Sequence, residues 1–155
     1  MKIEIATLDD QDKLEALFNA AYLKFVSRIG REPAPMTIDY RPKIKQGLVY
    51  VIHKDAAIIG AIVLENRENY LYLGNLAVSP VHQGKGIGRR LLKFAEKEAL
   101  QRGYFEIRLY TNEKMWENIA IYSKYGYKET DRKEENGFKR VYFTKQLVQP
   151  RIIYQ

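Results

Sequence analysis

The chain has 155 residues, enough for one domain with a full core, and is 46% hydrophobic and 29% charged with a net charge of +7. Zero cysteines exclude disulfides, zinc–thiolate sites and thiol nucleophiles and suit a reducing cytoplasm, and with only His53 and His82 available no metal is expected. The charge favours a polyanionic partner, nucleic acid or a phosphate-bearing ligand, while no run reaches the roughly 18 apolar residues of a membrane span and MKIEIATLDD lacks the apolar stretch expected of a signal peptide.

In chain order, Ile3 and Ile5 alternate with Lys2 and Glu4, which predicts a short half-buried strand. Asp9 or Asp10 is placed to cap a helix in which Leu14, Leu17, Phe18, Ala21 and Phe25 recur at helical spacing. Residues 30–47, with Pro33, Pro35 and Pro42, read as an irregular loop with one short helix after Thr37 or Asp39. LVYVIH (48–53), a KDAA turn and IIGAIVLE (58–65) predict a hairpin, and YLYLGNLAVS (70–79) a further strand. There Leu71 and Leu73 are apolar at odd positions but Leu76 and Val78 at even ones; a β-bulge at Gly74-Asn75 would return all four to the core. A glycine-rich segment then opens a helix that runs to about Arg102 and stops at Gly103. YFEIRLYT (104–111) predicts a strand, and the helix after it reaches Lys124 or Tyr125 before Gly126. Two last strands flank Asn136-Gly137, a hairpin turn. The two strand–helix–strand units predict parallel pairs, hence a mixed sheet covered by helices, in a single domain over residues 1–155.

The segment VHQGKGIGRRLLKFAEKEA (81–99) carries the chemistry. The phosphate-loop pattern GxxxxGK[ST] fails because no Gly-Lys pair precedes Ser or Thr. The dinucleotide fingerprint GxGxxG fails because Arg89 or Leu91 stands where its third glycine belongs. An anion site remains. Gly84, Gly86 and Gly88 let N–H groups turn outward, the helix N-terminus adds about half a positive charge, and Lys85, Arg89 and Arg90 add point charges. Ile87, Leu91, Ala95 and Ala99 form the stripe that packs this helix on the sheet, with Leu92 and Phe94 at its margins.

LAVSPVHQGKGIGRRLL resembles the acetyl-CoA-binding motif of the GNAT (N-acetyltransferase) family, [R/Q]-x-x-G-x-[G/A], through Gln83, Gly86 and Gly88. A second family signature, an Asn and a Tyr before a Gly-aromatic pair, is matched in ENIAIYSKYGY by Asn118, Tyr122, Gly126 and Tyr127. The resemblance implies an α/β (α+β) fold, a mixed, splayed sheet of about seven strands flanked by about four helices. It also implies acetyl-CoA as co-substrate, with pantetheine amides pairing along Leu76, Ala77 and Val78. The pyrophosphate would then sit on the N–H groups of Gln83, Gly84, Lys85, Gly86, Ile87 and Gly88, beside Arg89. Homodimers are frequent in families of this kind.

Acetyl transfer to an amine needs a neutral amine, a donor for the oxyanion and a proton for the departing thiolate. The family transfers directly, and the lack of cysteine excludes a cysteinyl acyl-enzyme. The backbone N–H of Leu76 or Ala77 is the expected oxyanion donor, a group typically worth roughly 3 kcal/mol of barrier. Tyr122 is the expected general acid by resemblance; read from the residues alone it is sooner one of many core tyrosines, and the motif match reverses that preference. It shares a helical face with Met115, Asn118 and Ile119, and Asn118 is expected to position the co-substrate. No residue carries over as general base; Glu106 and Tyr110 share a strand face but suit solvated or packed roles, and His53 and His82 read as ordinary surface residues. The acceptor amine, of a small molecule or a protein, is expected against the loop REPAPMTIDYRP, with Arg31, Met36, Asp39, Tyr40 and Arg41, and beside Asn75, although a packed surface loop accounts for that segment equally well. Two rivals stand beside this reading. One is a catalytically silent acyl-CoA sensor or scaffold, opposed by the presence of Tyr122. The other is a nucleic-acid-binding domain, opposed by Lys and Arg spread along the chain.

Overall fold

The computed structural model describes residues 1–148. The strands are β1 (Ile3–Ile5), β2 (Val49–Lys54), β3 (Ala57–Asn66), β4 (Leu71–Val78), β5 (Glu106–Asn112), β6 (Lys128–Glu135) and β7 (Phe138–Gln146). The α-helices among the described residues are α1 (Gln11–Ile29), α2 (Arg41–Lys45), α3 (Ile87–Gln101) and α4 (Trp116–Lys124). All seven strands form one sheet in the order β1-β2-β3-β4-β5-β7-β6. The mixed sheet expected from the sequence is therefore present, with β4 and β5 as its parallel pair.

Only the first strand–helix–strand unit makes neighbours. The second, β5-α4-β6, was expected to do the same, but β7 lies between its strands, antiparallel to both. The cause is local. Asn136 and Gly137 both take positive φ, 53° and 79°, so the tight turn folds β7 straight back on β6 and delivers it to β5. The displaced β6, KETDRKEE, is left as an outer strand whose residues are exposed except half-buried Glu135; dense charge of both signs suits such an edge.

The chain divides into two compact units, Met1–Glu65 with Leu73–Lys93, and Asn66–Tyr72 with Phe94 onward. In the first, β3 is buried continuously from Ile58 to Leu64, as its unbroken apolar run requires of a strand covered on both faces. The α1 stripe buries Leu14, Leu17, Phe18, Ala21, Tyr22 and Phe25, one residue more than the spacing picked out. Asp10 occupies the N-cap position of α1 without making the expected cap bond. Its carboxylate turns back instead, accepting the Thr7 N–H at 2.9 Å and lying 2.9 Å from His53 Nε2. Burial alone would raise the Asp10 carboxyl, but these partners hold it below the usual carboxylate value.

Gly60 marks where α3 presses on β3. A Cβ there would stand 2.9 Å from Ile87 Cγ2 and 3.2 Å from Leu91 Cδ1. The Ile87 methyl sits on a branched β-carbon and cannot swing aside. Gly60→Ala is expected to lower stability by about 1–3 kcal/mol. A urea midpoint equal to that of the parent would show that the helix lifts off the strand without cost.

In the second unit, Ile107 and Leu109 of β5, Val141 and Phe143 of β7, Ala95 and Ala99 of α3 and Tyr122 of α4 are all buried. Tyr110 and Tyr142 face each other across the β5–β7 ladder on the opposite sheet face, ring centres 5.4 Å apart.

Candidate active site

Leu76 and Val78 do not join Leu71 and Leu73 in the core, as a bulge at Gly74-Asn75 was expected to make them do. The burial of β4 alternates without a break from Leu71 to Val78, so Leu73, Asn75 and Ala77 share the buried side and Leu76 and Val78 stay half-buried on the other. Asn75 is thus a buried polar residue at 8% exposure, and the apolar slip at Gly74-Asn75 marks a polar insertion in the core face.

The same alternation fixes where the backbone points. Within a strand, the N–H and C=O of one residue face the same edge, and those of its neighbour the other. The Ser79 N–H donates to the Ile59 carbonyl at 2.8 Å, so residue 79 faces β3, and Ala77 with it. Leu76 and Val78 therefore aim their N–H and C=O groups away from β3. By the same alternation the Ala77 backbone is turned toward β3. On that second edge two side chains of the same unit serve the carbonyls. The Tyr22 hydroxyl donates to Leu76 at 2.7 Å, and the Gln83 carboxamide Nε2 donates to Val78 at 3.1 Å. Tyr22 was missed in the sequence because its place on the α1 stripe reads as core.

Directly after β4, a 3₁₀ turn over Pro80–His82 leads into the glycine segment. Gly84 and Gly86 take φ of 79° and 84°, and a side chain added at either would meet nothing within 4 Å. Alternating handedness of this kind turns successive N–H groups to one side, making an open concave nest for an anion. The first helical bond of α3 to appear is the Arg90 N–H to the Gly86 carbonyl at 3.0 Å, so the preceding amides of Ile87, Gly88 and Arg89 face out of the helix end. Gln83, Gly84, Lys85, Gly86 and Arg89 are exposed and Gly88 half-buried, while Ile87 is buried against Gly60. Arg90 is drawn aside, its guanidinium donating to the Met1 carbonyl. Leu92 is buried rather than marginal. His82 is half-buried with a buried, unpartnered Nδ1.

In the second unit, Tyr122 is buried on α4, its ring 5.6 Å edge-on from Tyr127 and 6.0 Å from Phe143. Met115 lies just before the helix and is buried. Its sulfur accepts from both the Thr111 hydroxyl and the Asn118 carboxamide at 3.5 Å, which ties Met115 to Asn118. Glu106 pairs with Arg108 and accepts from Gln146 Nε2 at 2.8 Å, and the guanidinium of Arg140 lies 4.4 Å over the Tyr110 ring.

The acceptor-loop residues separate. Tyr40 is fully buried, stacked on Phe18 at 4.6 Å, and its hydroxyl donates to the Pro35 carbonyl at 2.7 Å. It anchors the loop from below and does not line its surface. Asp39 is exposed and gripped by Arg41, with Nε to Oδ1 at 3.0 Å and Nη2 to Oδ2 at 2.9 Å. That guanidinium holds the carboxyl below its usual value. Met36 is half-buried in a 3₁₀ turn over Ala34–Met36. Among the described residues no group of three or more His, Asp or Glu could hold a metal ion, and no helix is long and apolar enough to cross a membrane.

Comparison with known proteins agrees with this layout. Residues 45–129 match the family model described as an acetyltransferase (GNAT) domain. A 74-residue stretch is 35% identical to streptothricin acetyltransferase of Escherichia coli, covering 47% of this chain and 42% of that protein, less than half its length. The PaiA N-acetyltransferase of Thermoplasma acidophilum, crystallised with coenzyme A, superposes with a TM-score of 0.79 at 22% identity, over 94% of this chain and 98% of that one. The ribosomal-protein-S18-alanine N-acetyltransferase of Escherichia coli superposes with a TM-score of 0.75 at 17% identity, over 99% of each chain.

Proposed function

Since the chain belongs to the acetyltransferase (GNAT) family, we propose that it moves acetyl from acetyl-CoA directly to a primary amine of a small molecule or a protein. One observation carries the reading. A strand edge with the Leu76 and Val78 backbone turned outward runs within ten residues of chain into an open glycine nest at a helix N-terminus. An extended diamide ending in a diphosphate needs those two features in that order. The residues present fit such a ligand: nothing lies within 4 Å of the added side-chain positions at Gly84 and Gly86, and Lys85 and Arg89 beside them are exposed.

Acetyl-CoA brings the acyl group already activated as a thioester. The chain's own contributions follow from position. The outward N–H of Leu76 is the donor for charge developing on the acyl oxygen. The Val78 carbonyl has a second lone pair beyond the one taken by Gln83 and can accept a pantetheine amide. The amides of residues 83 to 88, with Lys85 and Arg89, hold the diphosphate by fixed dipoles and charge. Tyr122 delivers the proton to the departing sulfur, and Asn118, whose carboxamide donates to the Met115 sulfur, helps position the co-substrate.

A panel of amines offered with acetyl-CoA, scored by release of free thiol, tests the reading. We expect release above the blank with at least one primary amine, and with its acetylated product found by mass. Thiol release with none of a panel spanning amino acids, polyamines, antibiotic amines and peptide N-termini, from protein that binds acetyl-CoA, would replace the enzyme with a sensor.

A further inference from the structure

We propose that the Tyr22 hydroxyl is a positioning group for acyl transfer, fixing through the Leu76 carbonyl the residue whose N–H meets the acyl oxygen. This rests on the proposed role of that N–H.

A strand carbonyl on an open edge has no ladder partner of its own and must find a donor elsewhere. For Leu76 a side chain on α1 supplies a donor, at 2.7 Å. A strand that paired with this edge would engage both the N–H and the C=O of Leu76, whereas a phenol donating to the carbonyl satisfies one and constrains the other. The N–H and C=O of Leu76 share the edge, so fixing the carbonyl restricts rotation of the peptide units on either side and with it the direction of the N–H. An oxyanion donor works by being aimed before the reaction, so its aim is worth as much as its presence.

Tyr22 is built to hold this post. Its ring stacks with Phe18 at 6.2 Å and meets Phe25 edge-on at 5.8 Å, and the residue is 7% exposed. Burial pushes the phenol well above its ordinary value, so it stays a neutral donor throughout the physiological range and is not the missing base. Phe18 also carries Tyr40, whose hydroxyl ties down the Pro35 carbonyl. The ring cluster that sets Tyr22 is therefore the one that anchors the loop expected to meet the acceptor.

Tyr22→Phe keeps the ring and deletes the donor. The test uses the full chain with three measurements: free CoA affinity by calorimetry, turnover, and the infrared carbonyl band of acetyl-CoA labelled with carbon-13 at the thioester. We expect CoA affinity within about threefold of the parent, turnover down by about tenfold, and the bound carbonyl band returned toward its position in free acetyl-CoA. An unchanged band and unchanged turnover would overturn the proposal, whatever happens to the melting temperature, and leave Tyr22 as a structural anchor. Loss of CoA affinity in proportion to the loss of rate would overturn it too, since the hydroxyl would then hold the strand and not the aim of its N–H. If the parent protein itself shows no shift of the band on binding acetyl-CoA, the role of the Leu76 N–H fails first, a result distinct from either of these.

Discussion

Gly88→Glu is expected to abolish binding of coenzyme A while making the protein no less stable. Gly88 lies in the first turn of α3, and a Cβ there would make only ordinary contact, 3.7 Å from Val78 Cγ2. Replacing a helical glycine gains up to about 1 kcal/mol in propensity, and a carboxylate in the first turn interacts favourably with the helix dipole by about 0.3–1 kcal/mol. The same carboxylate occupies the helix end where a diphosphate would bind, and both are negative. We expect affinity to fall by about 100-fold or more, equivalent to about 2.7 kcal/mol. Stability and binding thus move in opposite directions, which a partly unfolded variant cannot imitate. Gly88→Ala is the control and should keep both. Gly86 is a poorer choice for the test because its φ of 84° strains any side chain before charge enters the argument. Calorimetry on the two Gly88 variants decides the matter: unaltered CoA affinity in Gly88→Glu would remove the diphosphate from this helix end.

Much of this was open to a reader of the sequence, for physical reasons that differ by segment. The β6–β7 turn was legible because Asn-Gly is nearly the only pair that accepts two positive φ values in succession. The glycine nest was legible because close approach of a ligand to backbone leaves few residue choices. What could not be read was the neighbour relation of β5, β6 and β7, since a crossover fixes direction while adjacency is decided by whichever later strand arrives between. The β4 pattern misled for a related reason. Periodicity assumes that buried means apolar, and Asn75 breaks that assumption by taking a buried place between Leu73 and Ala77. Tyr40 and Tyr22 show the same limit from the other side. A tyrosine on a buried stripe and a tyrosine in a polar loop carry no mark of where the hydroxyl ends up, and here both hydroxyls reach distant or turn carbonyls.

Tyr122→Phe is expected to slow acetyl transfer by about 100-fold with acetyl-CoA affinity changed by no more than about threefold. General acids typically contribute 10²–10⁴-fold, and the low end applies here because a thiolate is a good leaving group and needs less help than an amine or alkoxide. The substitution should fold. The Tyr122 ring packs against Tyr127 and Phe143, and phenylalanine makes the same ring contacts. The comparison that gives the result meaning is Tyr127→Phe on the same helix-to-strand corner. The Tyr127 hydroxyl is buried without a hydrogen-bond partner and burial pushes its proton affinity up, so its removal should leave turnover unchanged and cost no stability. A large drop for Tyr122→Phe beside none for Tyr127→Phe would tie the rate to one phenol and not to tyrosine packing in general. Equal effects from both, or turnover untouched by the first on a good acceptor, would mean that the sulfur leaves without a proton from α4.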